Sequence, residues 1–198
     1  RCMGMNPALG LRGIRRHVTD EKEELLVQLK AIMRAAVFGP VSILFPMVTT
    51  IDDIRKAKTL IAEAMSELEG GKTKFSRKVR TGVMIEIPAA AIITREILQE
   101  VDFISVGTND LLQYFTGADR DNPAVLEYYD PENTAFQWLL RYIVEQAADI
   151  GRIDDVAVCG ELAGNPGYVG MLVNLGFRSL SVSPANSGRI RETIYELP

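Results

Sequence analysis

The chain has 198 residues, of which 47% are hydrophobic and 24% are charged, a composition typical of globular proteins that argues against a disordered chain. Its 22 Lys and Arg residues against 26 Asp and Glu residues give a net charge of −4, which argues against general binding to nucleic acid or to an anionic membrane. With 2 cysteines and 1 histidine, the chain lacks the residues for a disulfide framework, a four-cysteine zinc site or a multi-histidine metal centre. These features predict a soluble protein of a reducing compartment, the cytoplasm.

The first segment, Arg1 to Arg16, resembles the interior of a longer chain, because it lacks an initiator methionine and contains no apolar strand. We therefore expect the chain to be a portion of a longer protein. Asp20 is a candidate N-cap for the first predicted helix, and apolar residues follow at helical spacing from Leu25 to Val37. Gly39 and Pro40 end that pattern.

From there, short apolar runs alternate with amphipathic segments. Continuous apolar runs of this length are typical of strands buried on both faces, and we predict them at 41–48, 83–87, 103–107, 156–160 and 179–183. A predicted helix follows each strand, starting after Thr50, at Pro88, near Thr134, after Asn165 and near Asn186, with Thr50 and Asn165 as candidate N-caps.

Five such βα units predict an α/β fold with a parallel sheet. The periodicity is compatible with an open doubly wound sheet and with a (β/α)8 barrel. A barrel has eight strands, so five would be part of one.

In both folds the active site lies at the carboxyl ends of the strands. Glu86 and Asp110 fall near the ends of consecutive strands, and two carboxylates at neighbouring strand ends suit Mg²⁺. An equally good interpretation is that Glu86 pairs with an arginine and Asp110 caps a helix. Cys159 also ends a strand. A cysteine in a strand is commonly a small buried apolar residue, but the Gly-Glu that follows Cys159 favours a role in the chemistry of the site.

Arginines are the other candidate residues. Arg12 follows a glycine-rich stretch, Arg34 ends a helix, and Arg120 follows the Asn-Asp turn. Guanidinium groups bind phosphate and carboxylate oxygens, so this set together with the carboxylates suggests a phosphorylated anionic substrate held on a metal. His17, in a polar run, is interpreted as a solvated side chain and not as a ligand.

Six segments resemble one family. They are NPALGLRGIR (6–15), ILFPMV (43–48), GVMIEIPAAA (82–91), VDFISVGTNDLLQY (101–114), DRDN (119–122) and CGELAG (159–164). This pattern is similar to the phosphoenolpyruvate-binding domain of Enzyme I, the phosphoenolpyruvate-protein phosphotransferase of the bacterial sugar phosphotransferase system. The most specific feature is GTNDL with an arginine ten residues after its Asp.

The resemblance implies a (β/α)8 TIM barrel of the phosphoenolpyruvate/pyruvate-binding type, with residues 1–198 as its C-terminal portion. It implies that Glu86 and Asp110 bind Mg²⁺. It further implies substrate-binding roles for Arg12, Arg34, Asn109 and Arg120, and that Cys159 protonates the methylene carbon of the enolate.

The implied partners are phosphoenolpyruvate and pyruvate, a phosphohistidine domain that precedes the barrel, a phosphocarrier protein for sugar transport, and a second copy in a homodimer. His17 lacks the Thr-Ser-His context of the family's phosphate acceptor, so we expect the acceptor in the preceding domain. Because the family's early barrel strands carry a further phosphate-binding arginine, we expect the chain by itself to be inactive. Phe115 and Thr116 depart from the family's small and aliphatic residues.

Three alternatives remain. The first is the barrel of a pyruvate phosphate dikinase or phosphoenolpyruvate synthase, whose parent chain would carry an ATP-grasp domain. The second is a lyase of pyruvate-type enolates, which would not need the phosphate-binding Arg12 and Arg120. The third is a non-catalytic dimerisation module, which would have no reason to keep Glu86, Asp110 and Cys159.

Overall fold

The computed structural model describes residues 6–19 and 21–197. The strands are β1 (Ser42–Phe45), β2 (Arg80–Ile85), β3 (Phe103–Gly107), β4 (Val156–Cys159) and β5 (Ser179–Leu180). The helices are α1 (Ile14–Thr19), α2 (Lys22–Ala35), α3 (Ile51–Gly70), α4 (Pro88–Ile92), α5 (Thr94–Glu100), α6 (Thr108–Thr116), α7 (Thr134–Ala148), α8 (Pro166–Leu175) and α9 (Pro184–Tyr195). Short 3-10 helices span Pro7–Leu9, Pro123–Tyr128 and Ile153–Asp155. The chain forms two compact units, one ending at Val83 and the other beginning at Met84.

In the first unit, β1 pairs in parallel with β2, with Ser42 opposite Arg80 and Phe45 opposite Val83. Helices α2 and α3 pack on each other and bury one face each, since their apolar residues recur at helical spacing. The buried residues are Leu25, Leu26, Leu29 and Met33 on α2 and Ile54, Ala57, Leu60, Ala64 and Leu68 on α3. Along the exposed margin, Lys22 pairs with Glu63 at 2.8 Å, which adds little to stability because both side chains are solvated.

In the second unit, the strand order runs from the last residues of β2 through β3 and β4 to β5. Strand β3 is parallel to β4, with Gly107 opposite Cys159, and β4 is parallel to β5. Apolar residues are buried where the strands and helices pack together, including Ile104 and Val106 on β3 and Val158 on β4. A parallel sheet covered by helices needs such apolar strands.

The structure confirms the predicted parallel α/β fold, including the caps of two helices. Thr50 Oγ1 accepts from the amide of Asp53 at the start of α3. Asn165 Oδ1 accepts from the amide of Gly167, and Gly176 ends α8 in a left-handed conformation. These caps depend on local residue chemistry, which is why the sequence reveals them.

Several boundaries differ from the sequence prediction. Strand β2 begins at Arg80 and ends at Ile85, so Glu86 follows the strand instead of lying inside it. The predicted helix that starts at Pro88 is interrupted at Ile93, and strands β1 and β5 are shorter than their apolar runs. Helix α6 lies between β3 and the helix predicted near Thr134, where no helix was predicted. The candidate cap Asp20 lies outside the described residues.

In the described part of the chain, no helix combines the length and the apolar character needed to cross a membrane.

Candidate active site

Glu86 is a carboxylate held in the interior of the second unit. It directly follows β2, whose Val83 and Ile85 are fully buried, and only 4% of Glu86 is exposed. Gly107 makes room for it, because a Cβ on Gly107 would lie 2.9 Å from Met84 Sδ and 3.3 Å from Glu86 Cβ. A side chain at the end of β3 would press on both Met84 and Glu86, so glycine at position 107 favours this placement of Glu86.

The turn that follows β3 carries the next site residues. Strand β3 ends at Gly107 and α6 begins at Thr108 without a connecting loop, so Asn109 and Asp110 lie in the first helical turn. Fully buried Thr108 donates from Oγ1 to the carbonyl of Cys159 at 2.8 Å, which holds the turn against the end of β4. The carboxylate of Asp110 is stabilised by the positive end of the helix dipole.

Asn109 joins the turn to the segment that follows β4. Its Oδ1 accepts from the amide of Glu161 at 2.9 Å, and its Nδ2 donates to Glu161 Oε1 at 3.4 Å. Gly160 between the strand and Glu161 has φ of +99°, and a Cβ there would lie 2.5 Å from Thr108 Oγ1. The close approach of the two segments thus depends on glycine at position 160.

Arg120 is brought back to the turn by the loop that follows α6. Its Nη1 lies 3.8 Å from Asp110 Oδ1, and 37% of its side chain is exposed against 17% for Asp110. The amide of Arg120 donates to Gln113 Oε1 at 3.1 Å, which ties the loop to α6. A partly exposed guanidinium beside a carboxylate can still bind an anion on its open side.

Cys159 is a half-buried free thiol at the end of β4. It donates from Sγ to the carbonyl of Val106 at 3.4 Å. Burial raises the pKa of the Cys159 thiol, a hydrogen bond with Ser105 lowers it, and the charge of Glu86 raises it. The thiol therefore stays protonated at neutral pH and can act as an acid.

The carboxylates Glu86 and Asp110 fit a magnesium ion by their chemistry. Mg²⁺ prefers oxygen ligands and is usually held by one or two carboxylates, with water and phosphate oxygens completing its shell. Glu86 supplies a buried carboxylate, and Asp110 a mostly buried one, after consecutive strands of the second unit.

Arg12 lies in the first unit, at the carboxyl end of β1. The chain next to it is held against the residues that follow the strand, since the amide of Ile14 donates to the carbonyl of Pro46 at 3.1 Å. Gly13, with φ of +52°, permits this contact, because a Cβ there would lie 2.8 Å from the same oxygen. Arg12 is thus on the strand end where the fold places its active site.

The position of Arg34 does not support the expected substrate-binding role. It lies in the last turn of α2, the helix that precedes β1 in the chain, and the carbonyl of the preceding Met33 accepts from the amide of Ser76 ahead of β2. A helix that precedes a strand runs back along it, so its last turn lies at the amino end of the sheet. Arg34 is exposed there, beside Phe38 and Lys74.

His17, Glu21 and Glu24 in the first unit bring their ligand atoms within 4.8 Å of one another. Arg16 already pairs with the carboxylates of Glu21 and Glu24, so a cationic group occupies this cluster. The interpretation of His17 as a side chain that is not a ligand stays a prediction.

Three residues of the site were not assigned a role from the sequence: Ser105, Tyr129 and Glu161. Ser105 shares a face of the sheet with Cys159, because Ser105 pairs with Ala157 and Gly107 with Cys159 in the parallel register. The sequence signal for Ser105 was a polar residue inside an otherwise apolar predicted strand, and the structure buries this side chain. Tyr129 donates from its hydroxyl to the Asn109 carbonyl at 3.2 Å, a contact that nothing in the local sequence indicates.

Comparison with known proteins identifies the family of the chain. The family model described as "PEP-utilising enzyme, PEP-binding domain" matches residues 2–197. The chain is 37% identical over 193 residues to a phosphoenolpyruvate-protein phosphotransferase of Listeria monocytogenes, and this match covers 98% of the chain and 33% of the relative. It is 40% identical over 190 residues to the enzyme of the same name from Cupriavidus necator, with 96% of the chain and 32% of the relative covered. The chain thus spans about a third of the length of these relatives.

Solved structures show the same fold at low identity. A citrate lyase from Burkholderia xenovorans matches with a TM-score of 0.62 at 17% identity, covering 85% of this chain and 53% of that one. Haloferax volcanii malate synthase matches with a TM-score of 0.58 at 15% identity, covering 92% and 48%. These likenesses concern the fold alone and confirm an α/β fold with a parallel sheet, of the type found in (β/α)8 barrels. By the family model and the identity to its relatives, the chain belongs to the PEP-binding domain family of PEP-utilising enzymes.

Proposed function

We propose that this chain is the substrate-binding and catalytic domain of a phosphoenolpyruvate-protein phosphotransferase. The parent protein would transfer the phosphoryl group of phosphoenolpyruvate to a histidine of another domain and release pyruvate, in the cytoplasm and in the service of sugar transport. The observation that carries the proposal is the convergence of Asn109, Asp110, Arg120 and Cys159 on adjoining strand ends of the second unit.

The charged residues would bind the substrate. Arg120 would hold an anionic oxygen of phosphoenolpyruvate on the side of its guanidinium away from Asp110, and Arg12 would bind a second one. The Nδ2 of Asn109 has one hydrogen beyond the one it directs at Glu161, and that hydrogen would be donated to a phosphoryl oxygen. Glu86 and Asp110 would hold Mg²⁺, which supplies positive charge where phosphoryl and enolate oxygens become negative.

Cys159 would complete the reaction. When the bond from phosphorus to the enol oxygen breaks and a bond to the histidine nitrogen forms, the remaining electron pair makes the enolate of pyruvate. The Cys159 thiol would give its proton to the methylene carbon, forming the ketone, and the thiolate would take a proton back from water. The raised pKa of Cys159 suits this role, since the thiol must hold its proton until the enolate forms.

Three further parts of the proposal rest on the family. They are a phosphohistidine domain in the parent protein, a phosphocarrier protein that receives the phosphoryl group, and a homodimer formed through this domain. Sedimentation of the full-length protein over a range of concentrations tests the dimer. Because these relatives are named phosphoenolpyruvate-protein phosphotransferase, they favour a phosphotransferase over a dikinase or synthase as the parent protein.

The decisive experiment is calorimetric titration of the full-length protein with phosphoenolpyruvate, with and without Mg²⁺. We expect binding that depends on Mg²⁺ and is lost in Asp110→Asn. The matched control is Asp121→Asn, which removes a carboxylate that is exposed and lies next to Arg120 in the chain. Absence of binding by the unaltered protein, or equal binding by Asp110→Asn and the control, would contradict the proposal.

A further inference from the structure

The loop between α6 and α7 carries Arg120, yet few of its residues are buried. The 3-10 helix Pro123–Tyr128 within it has no buried residue, and Leu126 and Tyr128 are 46% and 59% exposed. Tyr129 directly follows this helix and is half-buried. Tyr129 is therefore one of the few side chains through which the second half of the loop can pack on the rest of the unit.

Tyr129 connects the end of this loop to the turn where α6 begins. Its hydroxyl donates to the main-chain carbonyl of Asn109 at 3.2 Å, across 20 residues of sequence. Asp110 follows Asn109 and lies beside Arg120, whose amide is tied to α6 through Gln113. The loop is thus held at Arg120 itself, through its amide, and again at Tyr129.

We propose that Tyr129 is a positioning residue, whose hydrogen bond to the Asn109 carbonyl holds the loop so that Arg120 stays beside Asp110 and ready to bind the substrate anion. This inference rests on the proposed function, because it assigns Tyr129 a part in binding the same substrate.

The surroundings of the hydroxyl keep it a donor. Burial raises the pKa of Tyr129, the nearby carboxylates of Glu161, Asp110 and Asp121 raise it further, and Arg120 lowers it. The phenol is therefore protonated at neutral pH and donates to the carbonyl. Two of these charged groups, Asp110 and Arg120, are the ones proposed to act on the substrate and its metal ion.

Binding of an anion orders both the side chain of a partly exposed arginine and the loop that carries it. A loop that is already fixed lowers the entropic cost of this ordering. The Tyr129 hydroxyl donates to the main chain of Asn109 and not to a group proposed to transfer a proton or a phosphoryl group. We therefore expect the loss of this hydrogen bond to weaken substrate binding and to leave the chemical step unchanged.

The test compares Tyr129→Phe with Tyr128→Phe in the full-length protein, assayed by pyruvate release from phosphoenolpyruvate. Each variant removes one hydroxyl and keeps the ring, and Tyr128 is the exposed neighbour. For Tyr129→Phe we expect KM for phosphoenolpyruvate to rise about fivefold with kcat within about twofold, the effect of one lost hydrogen bond. Tyr128→Phe should match the unaltered protein in both constants. A KM for Tyr129→Phe equal to that of the control, or a fall in kcat alone, would overturn the inference.

A double variant separates positioning from general loss of stability. If Tyr129 acts through Arg120, then adding Tyr129→Phe to Arg120→Ala should raise KM by less than about twofold over the KM of the Arg120→Ala single variant. A full fivefold rise in that background would show that Tyr129 acts independently of Arg120 and would overturn the inference.

Amide hydrogen exchange distinguishes this inference from the proposed function. Exchange in residues 117–129 should be faster in Tyr129→Phe than in Tyr128→Phe, whether or not the protein turns over substrate. If the unaltered protein releases no pyruvate, the proposed function is wrong, and the exchange result then decides whether Tyr129 holds the loop. Equal exchange in the two variants would contradict that role.

Discussion

Cys159 shows how neighbouring residues set the properties of a single thiol. Its partners belong to other strands: Val106 and Ser105 on β3, and Glu86 after β2. Two of the three influences on its pKa, burial and the charge of Glu86, favour the protonated form, so the thiol is a poor nucleophile and a suitable acid.

Removing the Glu86 charge should make the Cys159 thiol more acidic. Because the Glu86 carboxylate raises the pKa of Cys159, Glu86→Gln should lower this pKa and increase the thiolate fraction at pH 8. Alkylation of Cys159 by iodoacetamide, followed by peptide mapping to resolve it from Cys2, should then be faster. Glu96→Gln, at an exposed position on α5, is the control and should not change the rate. A rate that is equal or slower in Glu86→Gln would refute the electrostatic contact.

Gly160 should be one of the least replaceable residues of the site. Its φ of +99° already disfavours any other residue, and an added Cβ would lie 2.5 Å from Thr108 Oγ1 and 2.7 Å from Asn109 Oδ1. We expect Gly160→Ala to lower the free energy of unfolding by about 2–4 kcal/mol in urea denaturation. Gly151→Ala, at a φ of +67° with no atom within 4 Å, should lose only about 1 kcal/mol. Equal losses would mean that the contact at Gly160 can relax without cost.

At the scale of elements, caps and short connections decide where helices begin and what they carry. Helix α6 starts directly at the end of β3, which is why Asn109 and Asp110 lie in its first turn and not in a loop. Helix α5 ends where Arg152 donates to the carbonyls of Leu98 and Val101, so its C-terminal carbonyls are satisfied from outside the helix.

Helix α3 offers a quantitative test of this capping. Thr50 accepts from the amide of Asp53, and Asp53 Oδ2 accepts from the amide of Thr50 at 2.9 Å, a reciprocal capping box. Thr50→Ala should lower the free energy of unfolding by about 1 kcal/mol. The same substitution at Thr59, exposed in the middle of the helix, should stabilise it by a few tenths of a kcal/mol because Ala is the better helix former. Thermal denaturation of both variants checks this; a cap that contributes nothing would leave Thr50→Ala as stable as Thr59→Ala.

At the scale of the whole molecule, the charge balance constrains the partners. The net charge is −4, and Arg77, which lies in the basic segment 72–80, pairs with Glu69. The positive charge proposed to bind an anionic substrate comes from Arg12 and Arg120, near strand ends.

We expect no binding to nucleic acid for this reason. Fluorescence anisotropy of a labelled DNA duplex should not change on addition of the protein at 0.15 M salt, because a chain of net negative charge gains nothing from released counterions. Binding of micromolar affinity that weakens steeply with salt would show that a positive surface had been overlooked. A basic protein of similar size serves as the positive control.

The amino-acid sequence was enough to predict the five strands in order, the parallel α/β class, and the caps of α3 and α8. It also indicated Glu86, Asp110 and Cys159 as candidates. Each of these depends on residues close together in the chain, through apolar runs, capping side chains, and polar residues at the ends of predicted strands.

Contacts between residues far apart in the chain are visible only in the folded structure. The amide and carboxylate of Glu161 bind Asn109 from 52 residues away, and Tyr129 binds its carbonyl from 20 residues away, contacts that exist only because β4 and the loop after α6 return to the end of β3. The folded structure also separated Arg12 from Arg34, since one lies after the end of β1 and the other before its beginning. Spacing along a chain does not determine the face or end of a sheet that a distant side chain reaches, because that depends on how the whole chain packs.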